Sequence, residues 1–219
     1  DLGHGPLSHT TELVMPMVSD LKLSIYDGQK NRQANHEDYT LKFLLDSNIT
    51  EVIKTNFEFT PYHVALLIDK SLPEKDDYFM DGTISFRPLL SQIVSSELDA
   101  DRMDYFEWLI QNLTFHVLDN KLYLALSRRA LYSFDDFLIS RHHMHLMVYF
   151  HHKSIIYEEM LNKYLTSNEC DFVLPADIQE YTRYNDYKLY EHLSHSSNQW
   201  AQRISQRKPF KVLIELHSI

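Results

Sequence analysis

Residues 133–165 read SFDDFLISRHHMHLMVYFHHKSIIYEEMLNKYL, a run with neither proline nor glycine. Within it Ile155, Ile156, Met160, Leu161 and Tyr164 recur at helical spacing, which predicts the longest helix of the chain and a mostly α fold. Working outward, Leu41 to Lys54 carries Leu41, Leu44, Leu45, Ile49, Val52 and Ile53 on one face and reads as a second amphipathic helix, with residues 20–35 as its polar lead-in. Residues 59–91 contain Pro61, Pro73 and Pro88 and the charged turn Glu74-Lys75-Asp76-Asp77, which predicts short helices joined by loops. Tyr187 to Leu193 and Asn198 to Ser205 read as further helices. Two segments alternate with period two instead. Leu122, Leu124 and Leu126 predict a strand over about 121–127, and Phe210, Val212, Ile214 and Leu216 one over 210–216.

Composition supports the helical reading and narrows the function. The 219 residues include only 4 glycines, where the usual share of roughly 7% would give about 15, and 13 histidines. The formal charge of −10 leaves no rows of Lys and Arg for general DNA or RNA binding, so a polyanionic ligand has to be small and locally captured. No stretch reaches the 18 or so apolar residues of a membrane span. The single cysteine, Cys170, excludes an internal disulfide framework and fits a reducing, cytoplasmic compartment. Asp1 is not an initiator methionine, and the chain reads as cut from a longer protein.

Four constellations carry chemistry. Asp1-Leu2-Gly3-His4-Gly5-Pro6-Leu7-Ser8-His9 crowds a carboxylate and two imidazoles into one turn-like segment, suited to a divalent cation beside protonatable donors. The same pattern also suits a helix start with solvent histidines. His36-Glu37 alone is equally a surface dipeptide. Residues 95–105 place Asp101 and Tyr105 at i, i+4 on one helical face with Arg102 beside them, which offers metal ligand, phosphate clamp and hydroxyl, or simply an acidic helix start. Last, Arg141, His145, Tyr149 and His152 fall on one stripe at 100° per residue, a cationic patch within an acidic protein. Zinc-finger cysteine pairs, His-Glu-x-x-His, a Gly-rich phosphate loop and a Gly-x-Ser-x-Gly elbow are all missing from the sequence.

Taken in order, Asp1-Leu2-Gly3-His4-Gly5-Pro6-Leu7-Ser8-His9, His36-Glu37, Leu98-Asp99-Ala100-Asp101-Arg102-Met103-Asp104-Tyr105 and the Arg141, His145, Tyr149 helix resemble the HD-domain phosphohydrolases. The closest resemblance is to the branch that includes the sterile-alpha-motif/HD deoxynucleoside triphosphate triphosphohydrolase and its bacterial relatives, whose strongest motif reads HD(I/L)GHGPFSH. Arg207-Lys208-Pro209-Phe210-Lys211 is similar to that branch's terminal RxLFK segment. The resemblance implies an HD-domain helical fold over residues 1–165, lacking its N-terminal part, and a helical and strand extension over 166–219. It implies Asp1 and Asp101 as ligands of a divalent metal (Mn, Mg, Fe, Ni or Zn), and His4, His9, His36 and Glu37 as catalytic groups. Arg102, Tyr105, Arg141, His145 and Tyr149 would bind substrate.

The implied reaction is hydrolysis of a deoxynucleoside triphosphate to deoxynucleoside and triphosphate, by a homo-oligomer, dimer or tetramer. The alternatives are a nucleotide-binding regulatory protein without turnover and an HD phosphodiesterase or monophosphatase. Three departures from the family pattern stand out. The histidine of the HD pair and an earlier histidine ligand would precede Asp1. Leu7 replaces the motif's Phe. The RDSxxTGVxYG block expected after Tyr105 is missing, which predicts a chain break near Tyr105 to Glu107.

Overall fold

The computed structural model describes residues 2–26, 31–96 and 107–214. The chain divides into two compact units, residues 1–47 with 144–219, and residues 48–143. The division at residue 165/166 falls at the end of a helix inside the first unit.

In the first unit a loop and a 3-10 turn, His9–Val14, precede the short α1 (Val18–Leu21) and α2 (His36–Leu45). Asn35 caps α2: its side chain accepts from the Asp38 N–H at 3.1 Å while the Asp38 carboxylate accepts from the Asn35 N–H at 2.9 Å. This reciprocal box satisfies two of the donors that a helix start leaves open. Asp38 is buried and also takes a two-pronged ion pair from Arg32, at 2.6 and 2.8 Å, so the first turn of α2 is fixed from both sides. The rest of the unit is α8 (His152–Leu165), α9 (Ile178–Tyr181), α10 (Asp186–His195) and α11 (Gln199–Ser205), with α11 packed against α8 and α10. Tyr39, Leu41, Met160, Tyr164, Leu174, Leu189 and Leu193 form its dry interior.

The second unit holds α3 (Asn48–Asn56), α4 (Pro61–Ile68), α5 (Arg87–Val94), α6 (Glu107–Gln111), most of α7 (Leu131–Met144) and a four-stranded sheet. Strand order is β1-β2-β4-β3, from β1 (Met80–Asp81), β2 (Ile84–Ser85), β3 (Leu113–Leu118) and β4 (Lys121–Leu126). β3 and β4 pair antiparallel from Leu113↔Leu126 to Leu118↔Lys121. Asp119 and Asn120 turn the hairpin with φ of 49° and 59°, the left-handed pair that a two-residue hairpin turn requires. Leu109, Ala130 and Phe137 form a small core beside it, flanked by Leu126 and Phe134.

The mostly helical fold with few short strands is the one the sequence predicts, and β4 matches the strand expected at 121–127. Four details differ. The predicted helix 41–54 is two helices: Ser47 turns its hydroxyl onto the Phe43 carbonyl at 2.6 Å, and α3 begins anew at Asn48. The predicted helix 133–165 is three pieces, α7, a π turn at His145–Tyr149 and α8, broken where His151 leaves helical backbone and accepts from the Lys153 N–H. β3 was not expected, although Leu113, Phe115 and Val117 alternate with Thr114 and His116. Over the described part of the segment expected as strand 210–216, residues 210–214, no strand forms. Leu213 is 93% exposed and Ile214 72%, and alternation without a neighbouring strand has no ladder to join. Among the described residues no helix is long and apolar enough to cross a membrane.

Candidate functional site

Three histidines from two separated segments meet in the first unit. His4 and His36 stack with ring centroids 4.3 Å apart and planes 8° from parallel, and His9 stands edge-on to both at 4.8 and 4.7 Å. One ring nitrogen from each lies within 4.8 Å of the others.

The glycines of the opening loop make this approach possible. A Cβ on Gly3 would sit 1.9 Å from the His36 carbonyl oxygen, so only glycine lets the loop lie against the first turn of α2. The Gly3 N–H then donates to the Thr40 hydroxyl at 3.1 Å, and its carbonyl accepts from the Tyr181 hydroxyl at 2.7 Å. Gly5 is similarly confined, by the Thr11 hydroxyl and Leu174. Thr11 is fully buried and donates to the Pro6 carbonyl at 2.7 Å, which ties the loop to the 3-10 turn that carries His9. Tyr39 stacks on Tyr181 at 4.0 Å and donates to the Pro175 carbonyl, fastening α2 to α9 and its lead-in. Burial pushes the phenols of both Tyr39 and Tyr181 well above the usual tyrosine value, so they stay neutral donors.

A carboxylate that the sequence reading left aside organises the cluster. Glu12, three residues beyond His9, accepts from His36 through both the ring Nδ1–H at 2.5 Å and the backbone N–H at 3.2 Å, and from the His9 Nδ1 at 3.3 Å. Burial alone would raise its pKa, but the His36 and His9 hydrogen bonds outweigh that and hold it below the usual carboxylate value. The bond to the Glu12 carboxylate makes Nδ1 the donor, and among the described residues the Nε2 of His36 has no hydrogen-bond partner. Burial, followed by repulsion from His36 and His9, depresses the His4 pKa, so His4 favours its neutral form. The donor set, three imidazoles with one ring nitrogen each within 4.8 Å of the others, also fits a borderline divalent cation.

The structure thus brings His4, His9 and His36 together. Glu37, expected among the catalytic groups, is exposed, and the carboxylate on the His36 ring is that of Glu12. Asp1, Asp101, Arg102 and Tyr105 lie outside the described residues, as does the chain junction after Tyr105. Arg141 lies on α7 in the second unit and is half-buried. His145 and Tyr149 sit on the π turn with their rings 5.0 Å apart. The uniform stripe expected through Arg141, His145, Tyr149 and His152 is not kept, because the π turn widens the period and His152 opens a new helix.

A family model described as "HD associated region" matches residues 104–218, more than half of the chain. Among curated proteins, the chain is 27% identical over 172 residues to the "Uncharacterized protein MG461 homolog" of Mycoplasma pneumoniae, covering 71% of this chain and 36% of that protein. It is 26% identical over 178 residues to the "Uncharacterized protein YwfO" of Bacillus subtilis, covering 75% and 34%. With the "Uncharacterized protein MJ1154" of Methanocaldococcus jannaschii the likeness is 21% over 230 residues, covering 98% and 42%. The chain therefore spans between a third and just over two fifths of the length of these relatives.

Proposed function

Since the chain belongs to the family of the HD associated region, and its own motifs resemble those of HD phosphohydrolases, we propose that it is part of a metal-dependent phosphohydrolase acting on deoxynucleoside triphosphates. The observation that carries this reading is the meeting of His4, His9 and His36 over Glu12, from positions up to 32 residues apart. Imidazoles so arranged are suited to moving protons at a phosphate ester.

The roles follow from hydrogen bonding. Glu12 holds the Nδ1–H of His36 and so presents Nε2 as the base that takes a proton from the attacking water. His9 has a ring largely open to solvent and, when protonated, donates to the departing oxygen. His4, kept neutral by burial and by its neighbours, donates one N–H to a phosphate oxygen. Asp1 and Asp101 would hold the divalent cation, which when bound polarises phosphate oxygens and lowers the pKa of a bound water. Arg102, Tyr105, Arg141, His145 and Tyr149 are proposed as substrate contacts.

The test is an assay of the full protein with each of the four deoxynucleoside triphosphates and a divalent metal, following inorganic triphosphate and deoxynucleoside together. Stoichiometric release of both supports the proposal. Release of orthophosphate or pyrophosphate moves the protein to another phosphohydrolase class, and binding without turnover to a regulatory one. In an active protein Glu12→Gln should lower kcat on the order of 10²-fold, because the amide no longer fixes the His36 tautomer.

A further inference from the structure

Several non-glycine residues in the described chain adopt left-handed backbone, a sterically unfavourable conformation for an L residue. Lys22 closes a helix, and Asp119 and Asn120 turn the hairpin. The others, Leu7 (φ 55°), Ser8 (φ 53°) and Arg207 (φ 55°), border one cavity of about 770 Å³ in the first unit. Leu7 and Ser8 belong to the loop that carries His4, and Arg207 follows the end of α11, so strained segments far apart in sequence converge on one space. Strain of this kind gathers where a site over-determines its walls.

The cavity is lined by His9 and Thr10 of the 3-10 turn and by residues of α8, α10 and α11. Tyr157, Tyr190 and Ile204 give it flat and apolar walls, the surface that a planar ring prefers. Glu158 adds a carboxylate, which only accepts hydrogen bonds and so suits a ring that carries N–H donors. Arg207, also on the lining, brings a permanent positive charge to a cavity that in a −10 chain would otherwise disfavour a phosphorylated ligand.

We infer that this cavity receives the organic group esterified to the phosphate held at the imidazoles, a planar ring with exocyclic N–H donors, and that Tyr190 and Glu158 select it. The inference rests on the phosphohydrolase reading for its placement of the phosphate. Deoxyadenosine, deoxycytidine and thymidine are the probes, the last having no exocyclic amino group. Their binding to the full protein is measured by equilibrium dialysis.

The two amino-bearing nucleosides should bind at least 5-fold more tightly than thymidine, and Glu158→Gln should erase that difference. Tyr190→Ala should weaken all three about 10-fold, whereas Tyr187→Ala, on the same helix but 86% exposed, should leave them unchanged. Should Tyr190→Ala fail to fold, Ile204→Trp, which fills the cavity, should block binding equally. Undetectable binding to the wild type overturns the inference. So does binding that is indifferent to both the cavity variants and the amino group.

Triphosphate release, followed in parallel, keeps the two readings apart. Turnover without cavity-dependent nucleoside binding removes the cavity and leaves the phosphohydrolase. Cavity-dependent binding without turnover removes the phosphohydrolase and retains the nucleoside site.

Discussion

Both units contain histidines paired with carboxylates, and two of these pairs, His63 with Asp76 and His36 with Glu12, use the imidazole differently. In the second unit His63 is buried at the start of α4. Its Nδ1 accepts from the Thr60 N–H at 3.1 Å, its Nε2 donates to Asp76 at 2.9 Å, and its face lies on Tyr78 at 4.0 Å. Both ring nitrogens are consumed, so this histidine is a fastener between a helix start and the loop that follows. In the first unit His36 gives only Nδ1 to its carboxylate, while His4 stacks on its face and His9 stands edge-on to it. What sets the two histidines apart is the ring nitrogen left over, not the carboxylate.

Substitution of the two histidines should separate these uses most sharply. His36→Ala removes the proposed base and should lower kcat by roughly 10²–10⁴-fold, the usual contribution of a positioned acid or base, with a smaller change in the urea midpoint than His63→Ala. His63→Ala should leave kcat near the wild-type value and destabilise the fold by about 1–3 kcal/mol, since Asp76 and the Thr60 N–H both lose their partner. Steady-state triphosphate release and urea unfolding on the same preparations would check both. Equal effects of the two substitutions on kcat would erase the distinction.

A smaller effect tests how the first pair is held. Gly3→Ala places a methyl group 1.9 Å from the His36 carbonyl oxygen, where the obstacle is backbone and cannot rotate aside. The loop has to lift from α2, which should destabilise this unit by about 1–3 kcal/mol, the usual range for overpacking. It should also separate His4 from His36 and so reduce turnover in protein that remains folded. Circular dichroism melts alongside initial rates would reveal it.

Much of this was legible in the residues, and the failures have physical causes. Gly3, Gly5 and His4 announce a crowded loop because glycine beside histidine allows backbone contact, and the helices followed from their apolar period. Glu12 was overlooked because its partner His36 lies 24 positions away, although its spacing of three from His9 was a usable signal. The histidine-rich run from His142 to His152 drew attention through the stripe that a regular helix would make of it. There the chain passes through a π turn and a break at Phe150 and His151, with His142, His143, His151 and His152 all exposed. No proline or glycine marks that break, so a uniform 100° period projected one stripe where the backbone makes separate surfaces. Likewise the alternation of Phe210, Val212 and Ile214 states a preference for strand but supplies no partner to pair with.

The smallest expected effect concerns the second pair and its dependence on pH. The hydrogen bond from His63, followed by one from the Tyr78 N–H, holds the Asp76 carboxyl below its ordinary value. A carboxyl whose pKa is lower folded than unfolded stabilises the fold fully above the unfolded value, near 3.9, and that contribution disappears as the pH falls through the folded value. Asp76→Asn removes the ionisation while keeping the side-chain shape. The stability difference between wild type and Asp76→Asn should therefore be level from pH 7 to about 5 and shrink progressively below about 4. Because Asp76 stands at the surface, salt should also reduce the difference at pH 7. Urea midpoints for both proteins across this range would decide it, since other acid-titrating groups cancel in the comparison. A difference that persisted unchanged to pH 2.5 would mean that the Asp76 charge contributes nothing, and that His63 holds its loop through Tyr78 stacking and the Thr60 cap alone.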